Sequence, residues 1–209
     1  MIYDLSHLTQ NQDQNVSGPI QDDEALFLFG VIRILRIKRI LEIGGLNGYS
    51  AKNFLKALQH SKDCQLYTCD INHVPKLSEN HKILIKNAKE LTKEDLDGRK
   101  IDMIFFDCHD MIQMEIYSNL LKHNLIDENN VCICLHDTNL HYAPYNHGGS
   151  YIKGEDGYAH QSVERQMVNI FKELGYDIFH CSTRKEQHND QFPIRHGITV
   201  CKKFHRLSK

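Results

Sequence analysis

The chain has 209 residues, of which 41% are hydrophobic and 25% charged, and a formal net charge of −2. That length supports one sizeable core, and no Pro/Gly/Ser-rich linker separates two, so a single domain spanning 1–209 is expected. The charge balance leaves no basic excess for a phosphate backbone, which argues against nucleic acid. The polar residues 1–20 and the lack of any apolar run near the roughly 18 residues of a membrane span predict a soluble, cytoplasmic protein without a membrane partner.

From Asp22 to Leu35 the apolar residues recur at helical spacing and lead directly into the strand-like KRILEIG. A helix is predicted from Tyr49 to His60, then a strand over QLYTCD (65–70) and a third strand over ILIKN (83–87). The connection 71–82, which contains Pro75, is close to the shortest that can join parallel strands, and predicts a short helix or a bare loop. IDMIFFD (101–107) and VCICLHD (131–137) are near-continuous apolar runs, as in strands covered on both faces. Helices are predicted over 112–126 and 162–175, and YDIFHC and GITVCKKF close the chain as an antiparallel pair. The alternation predicts an α/β fold: a doubly wound, mostly parallel seven-stranded sheet with a C-terminal antiparallel strand pair. Several of the seven cysteines fall inside strand-like runs, which reads as reduced core residues rather than a disulfide framework.

The first strand ends in Glu42-x-Gly44-Gly45-x-x-Gly48, where a sheet of this kind places a cofactor. A nicotinamide fingerprint needs a second glycine where Leu46 stands, and a side chain there collides with a pyrophosphate. The remaining pattern, E-x-G-x-x-x-G, resembles the first motif of the class I S-adenosylmethionine (SAM) methyltransferases, and the resemblance runs from Asp22 to Phe204. It implies that Glu42, Gly44, Gly45 and Gly48 line the amino-acid part of SAM, with Tyr49 and Ser50 opening the next helix. Asp70, ending the second strand, suits the two hydroxyls of a ribose, and Asn87-Ala88 stands where that family borders the adenine. Asn87 is equally suited to capping a turn.

FFDCHD and CLHDTN bring Asp107, His109, Asp110, His136 and Asp137 to adjacent strand ends. Carboxylates with an imidazole suit Mg²⁺, Mn²⁺ or Fe²⁺, and a hydrogen-bonded cluster without an ion is the alternative. The pattern resembles the metal-dependent sugar and small-molecule O-methyltransferases of macrocin and cephalosporin-biosynthesis type. That resemblance implies Asp107, His136 and Asp137 as ligands to a divalent metal, Mg²⁺ first, with Asp107 also bordering SAM. It is similar more distantly to the catechol and caffeoyl-CoA enzymes, but Asp110 stands where those carry a catalytic lysine, and Asp137-Thr138 replaces their Asp-Asn pair. Zinc on Cys132, Cys134 and His136 is a weaker alternative, because side chains on one strand fan out and no C-x-x-C pair is present.

Residues 138–160 form a long tyrosine- and histidine-rich loop around Gly148-Gly149, read as a lid or else as a surface insertion. The combined reading is a SAM-dependent O-methyltransferase of a small-molecule hydroxyl, such as that of a sugar or secondary metabolite. His109, then His141 or His160, is the expected base. An NAD(P)-dependent oxidoreductase and a non-catalytic SAM-binding domain are the rivals. A homo-oligomer is left open.

Overall fold

In the computed structural model of the chain, the described residues are 20, 22–108, 112–138, 162–181 and 197–204. Helix α1 (Asp22–Ile34) buries Ala25, Leu28, Phe29 and Ile32, the i, i+3, i+4, i+7 stripe of an amphipathic helix. It leads into strand β1 (Arg39–Ile43), followed by α2 (Tyr49–Leu58), β2 (Gln65–Asp70) and β3 (His81–Ile85). After a 3₁₀ turn at Ala88–Glu90 come β4 (Met103–Phe106), α3 (Gln113–Lys122), β5 (Cys132–Leu135), α4 (Ser162–Glu173), β6 (Asp177–Cys181) and β7 (Ile198–Lys202).

These strands form one sheet in the order β3-β2-β1-β4-β5-β7-β6. The first five run parallel, and β7 lies antiparallel to both β5 and β6. The chain proceeds outward from β1 in one direction and resumes at β4 in the other, so the crevice beyond Ile43 and Phe106 is the topological switch point. Alternate residues face opposite layers. Ile40, Leu66, Met103, Phe105, Cys132 and Cys134 pack on the α1/α2 side. Leu41, Tyr67, Ile104, Phe106, Ile133 and Leu135 share a second core with α3 and α4. This two-sided burial explains why β4 and β5 read as continuous apolar runs.

Several expected boundaries move by two or more residues, β3 ending at Ile85, α2 at Leu58 and α4 at Glu173, and two of the shifts have a visible cause. β3 starts at His81 rather than Ile83, because Leu66 pairs with His81 and the buried imidazole meets the hydroxyl of Thr68 at 2.7 Å. A buried polar residue thus opens this edge strand. Helix α3 stops at Lys122 rather than 126, since Asn124 takes a left-handed conformation (φ 55°) and Ile126 bridges to Ile101 beside the sheet. The 71–80 connection is bare loop, with Val74 buried beneath it. None of the seven cysteines is in a disulfide. Among the described residues no helix is long and apolar enough to cross a membrane.

Candidate functional site

The turn after β1 is shaped by close approach. Gly44 has φ 91° and donates its N–H to the Cys69 carbonyl at 3.0 Å, and a Cβ placed on it would run into the Asp107 carbonyl at the end of β4. Only glycine lets β1 turn this close to its neighbour. A Cβ on Gly45 would strike the Thr68 methyl in the same way. Gly48 (φ 82°) is the N-cap of α2, and Leu46 takes the left-handed region at φ 41° with 57% of its surface exposed.

Beyond the strand ends lies an open cavity of about 490 Å³, walled by Gly44, Leu46, Asp70, Asn87, Ala88 and Asp107 among others. Asp70 anchors its rim. One carboxylate oxygen accepts the N–H of Gly45 at 2.8 Å and of Leu46 at 3.4 Å, and the other accepts the N–H of Asn72 at 2.8 Å. Asn87 lines the cavity while its side chain accepts the Lys89 N–H at 3.1 Å to cap the 3₁₀ turn. Ile71, apolar and 74% exposed, also borders the cavity. It follows Asp70 directly, and an apolar residue that the sheet does not bury is the signal that reveals it.

Gly45 and Gly48 belong to the turn but do not line the cavity, and Glu42, Tyr49 and Ser50 lie behind its wall. Glu42 points to the α1/α2 layer, like Ile40 two residues before it, and is fully buried. Ser50 donates to one of its oxygens at 2.5 Å and Thr68 to the other at 2.6 Å. The relay continues to His81, whose Nδ1 accepts the Leu77 N–H at 3.2 Å, so that Nε2 carries the proton and donates to Thr68. Burial pushes the Glu42 carboxyl up to about 7 against these hydrogen bonds, with Asp107 and Asp70 adding to the rise. Burial, with Lys76 nearby, holds His81 down at about 4. Tyr49 is buried in the α1/α2 core.

A second cluster adjoins the cavity at Asp107. Residues 105, 107, 134 and 136 lie on the α1/α2 side of paired strands, which sets Asp107 beside His136. The imidazole Nδ1 lies 2.8 Å from Asp107 Oδ1, while Nε2 lies 3.2 Å from Glu24 Oε2 and 3.6 Å from Asp137 Oδ1. Burial disfavours a charged imidazole, but Asp137, Asp107 and Glu24 together raise His136 well above its usual range. Asp137 turns back through a left-handed conformation (φ 59°), which aspartate tolerates better than most residues. Asp107, His136 and Asp137 each offer a ligand atom within 4.8 Å of the others. Atoms bound to one ion at about 2.0–2.4 Å are separated by up to roughly 4–5 Å, so the donor set fits a divalent cation in both chemistry and spread. The zinc alternative does not assemble among the described residues: Cys132 and Cys134 are buried in the apolar core, and His136 turns its ring nitrogens to carboxylates, so that it groups with Asp107 and Asp137 rather than with the thiols.

His109, Asp110, His141 and His160 lie outside the described residues, as does the 138–160 loop beyond Thr138. Glu24 escaped sequence reasoning. Its signal is a carboxylate four residues before Leu28 on the apolar stripe of α1.

The O-methyltransferase family profile matches residues 1–132 of the chain. A candidate caffeoyl-CoA O-methyltransferase from Staphylococcus aureus shares the fold at 18% identity and a TM-score of 0.65, with 95% of this chain and 96% of that chain covered. A methyltransferase from Podospora anserina bound to S-adenosylhomocysteine (SAH) aligns at 17% identity over 97% and 89% of the two chains, with a TM-score of 0.60. An O-methyltransferase from Bacillus cereus in complex with SAH aligns at 16% identity over 95% and 90%, with a TM-score of 0.58. No curated protein matches the chain significantly.

Proposed function

Since the chain belongs to the O-methyltransferase family and is a SAM-dependent methyltransferase, we propose that it methylates a hydroxyl of a small molecule such as a sugar or secondary metabolite, with help from a divalent metal. The observation that carries this reading is the shared wall at Asp107: its backbone closes over the glycine turn, and its side chain belongs to the carboxylate–imidazole cluster. A methyl donor in the cavity and a hydroxyl at the cluster would then sit side by side. The solved SAH complexes of similar fold support the donor, and the donor set of Asp107, His136 and Asp137 supports the metal, Mg²⁺ first.

Each residue of the turn and the wall has a part. Gly44 and Gly45 bring backbone against the amino-acid end of SAM, Asp70 takes the ribose hydroxyls, and Asn87-Ala88 borders the adenine. Glu42, Ser50 and Tyr49 support that site from behind: Glu42 ties β1, β2 and the start of α2 together through Thr68 and Ser50. Methyl transfer is an in-line displacement at a sulfonium, so most of the work is holding two reactants in line. An alcohol ionises poorly at neutral pH, and a divalent cation supplies the acidity that corrects this. Asp107, His136 and Asp137 would hold it. A histidine would accept the proton, His109 first and His141 or His160 next.

The test is calorimetry with SAM, SAH and NADH, followed by transfer of radiolabelled methyl from SAM to hydroxylated acceptors with and without EDTA. Expected are binding of SAM and SAH but not NADH, and transfer that EDTA abolishes and added Mg²⁺ or Mn²⁺ restores. Full-rate transfer in excess chelator would refute the metal, and NADH binding without SAM binding would refute the whole reading.

A further inference from the structure

We propose that Glu24 is the positioning residue of the cation site: it takes the Nε2 proton of His136 and so reserves Nδ1, the nitrogen beside Asp107 and the cofactor cavity, for the ion. This rests on the metal reading above. An imidazole that binds a metal must leave one nitrogen bare, and its other N–H is characteristically given to a carboxylate, which fixes both tautomer and ring plane. Three carboxylates surround His136, so which of them takes that proton decides where the ion sits.

The geometry separates them. Glu24 Oε2 is the acid nearest Nε2, at 3.2 Å, with Asp137 Oδ1 farther at 3.6 Å. Glu24 is itself held, because its other oxygen accepts the Gly197 N–H at 2.6 Å where β7 begins. Its carboxylate is therefore fixed between two elements and fully buried. On the opposite edge of the ring, Nδ1 faces Asp107 Oδ1 at 2.8 Å. Two atoms bound to one ion at about 2.1 Å in octahedral geometry stand about 3 Å apart, so this pair has the separation of neighbouring ligands. Asp107 walls the cofactor cavity and Glu24 does not. An ion on the Nδ1 side is thus next to the cavity proposed for the methyl donor, whereas one on the Nε2 side would lie against the fully buried Glu24.

Glu24 also explains why helix α1 matters to a site built on β4 and β5. It lies 112 positions before His136 in the chain, and the helix that carries it packs its apolar stripe on the same sheet layer that His136 faces.

The experiment compares wild type, Glu24→Gln and Glu24→Asp as full-length proteins. Mn²⁺ affinity is measured by calorimetry, SAH affinity serves as the check on the fold, and ¹⁵N NMR of histidine-labelled protein with diamagnetic Mg²⁺ reports the protonated ring nitrogen. Loss of a carboxylate behind a ligating histidine typically weakens metal binding about 10–100-fold. Glu24→Gln is expected to show that loss with SAH affinity unchanged. Glu24→Asp, which keeps the charge but draws it back by one methylene, should fall between. In the Mg²⁺-loaded wild type His136 should carry its proton on Nε2. Wild-type Mn²⁺ affinity in variants that still bind SAH, or a proton found on Nδ1 in the loaded protein, overturns the role of Glu24 alone. Failure of the wild type to bind Mn²⁺ overturns the metal reading and this proposal with it. If Glu24→Gln does not fold, Glu24→Asp and the NMR assignment carry the decision.

Discussion

Replacing Glu42 by Gln asks whether the carboxyl beneath the glycine turn is neutral in the folded protein. Ser50 Oγ and Thr68 Oγ1 are its two partners, and Thr68 must point its proton at Glu42, because His81 Nε2 already donates to Thr68. A protonated Glu42 therefore donates to Ser50 and accepts from Thr68. Glutamine reproduces that pattern, with its amide N–H on Ser50 and its carbonyl under Thr68, so it mimics the neutral acid in shape and in hydrogen bonding.

Burial raises the folded-state pKa of Glu42 from 4.5 to about 7. Between those values the folded state binds the proton more tightly than the unfolded state, so the contribution to stability is fully present below pH 4.5 and is lost as pH rises through about 7. Over that interval the loss is about 3 kcal/mol. His81 opposes it: held down at about 4 from 6.5, it costs stability as pH falls through that range, and the two slopes overlap. In wild type these two slopes mask each other, and His136, raised well above its usual range, adds its own loss of stability as pH rises above 6.5. The informative quantity is the difference between Glu42→Gln and wild type, in which His81 cancels, measured by urea unfolding from pH 4.5 to about 8. The variant should match wild type at the acid end and exceed it by about 3 kcal/mol at the alkaline end. A difference independent of pH would mean that Glu42 is ionised in the fold and that the relay has been assigned the wrong protons.

Gly44→Ala places a left-handed residue and a Cβ against the Asp107 carbonyl; it should lower the melting temperature and abolish SAH binding by calorimetry, and unchanged SAH affinity would refute the close approach. Asp70→Ala removes the acceptor of three backbone N–H groups and the acceptor proposed for the ribose hydroxyls, and should weaken SAM binding by about 1–3 kcal/mol. Asp107→Asn and Asp137→Asn should each leave SAM affinity within about tenfold while cutting methyl transfer by orders of magnitude in a radiolabel assay. Near-normal turnover in either would remove that residue from the metal site.

The parallel strands were legible because two-sided burial leaves uninterrupted apolar runs such as Met103–Phe106, and the tight turn after β1 because glycines mark where backbones meet. What was hidden depends on pairings between distant segments. His81 is a buried polar residue at the start of edge strand β3, where Thr68 receives its imidazole, so an apolar pattern begins that strand two residues late. Glu42 sits in a motif that suggests cofactor contact, yet strand alternation sends it to the α1/α2 layer, where hydroxyls from α2 and β2 occupy both oxygens. The same-face relation of Cys132, Cys134 and His136 was visible as an i, i+2, i+4 spacing. The partner on that face was not, because Glu24 comes from another helix.

Asp107 links the two halves of the site through different parts of one residue. Its carbonyl is what a side chain at Gly44 would strike, and its carboxylate is what His136 touches. The cofactor turn hangs from β1 and β2, whereas the cluster hangs from β4, β5 and α1, and Asp107 is the described residue that both use. Asp107→Asn changes the carboxylate and leaves the carbonyl in place, so it should act on the cluster. Gly44→Ala pushes the carbonyl and must carry the carboxylate with it, so it should disturb the cluster as well as the cofactor. Mn²⁺ titration distinguishes the two routes: Asp107→Asn should lose Mn²⁺ and keep SAH, and Gly44→Ala should lose both. A Gly44→Ala protein that loses SAH yet binds Mn²⁺ as wild type does would show that the turn can move without moving β4, and the two halves would then be independent.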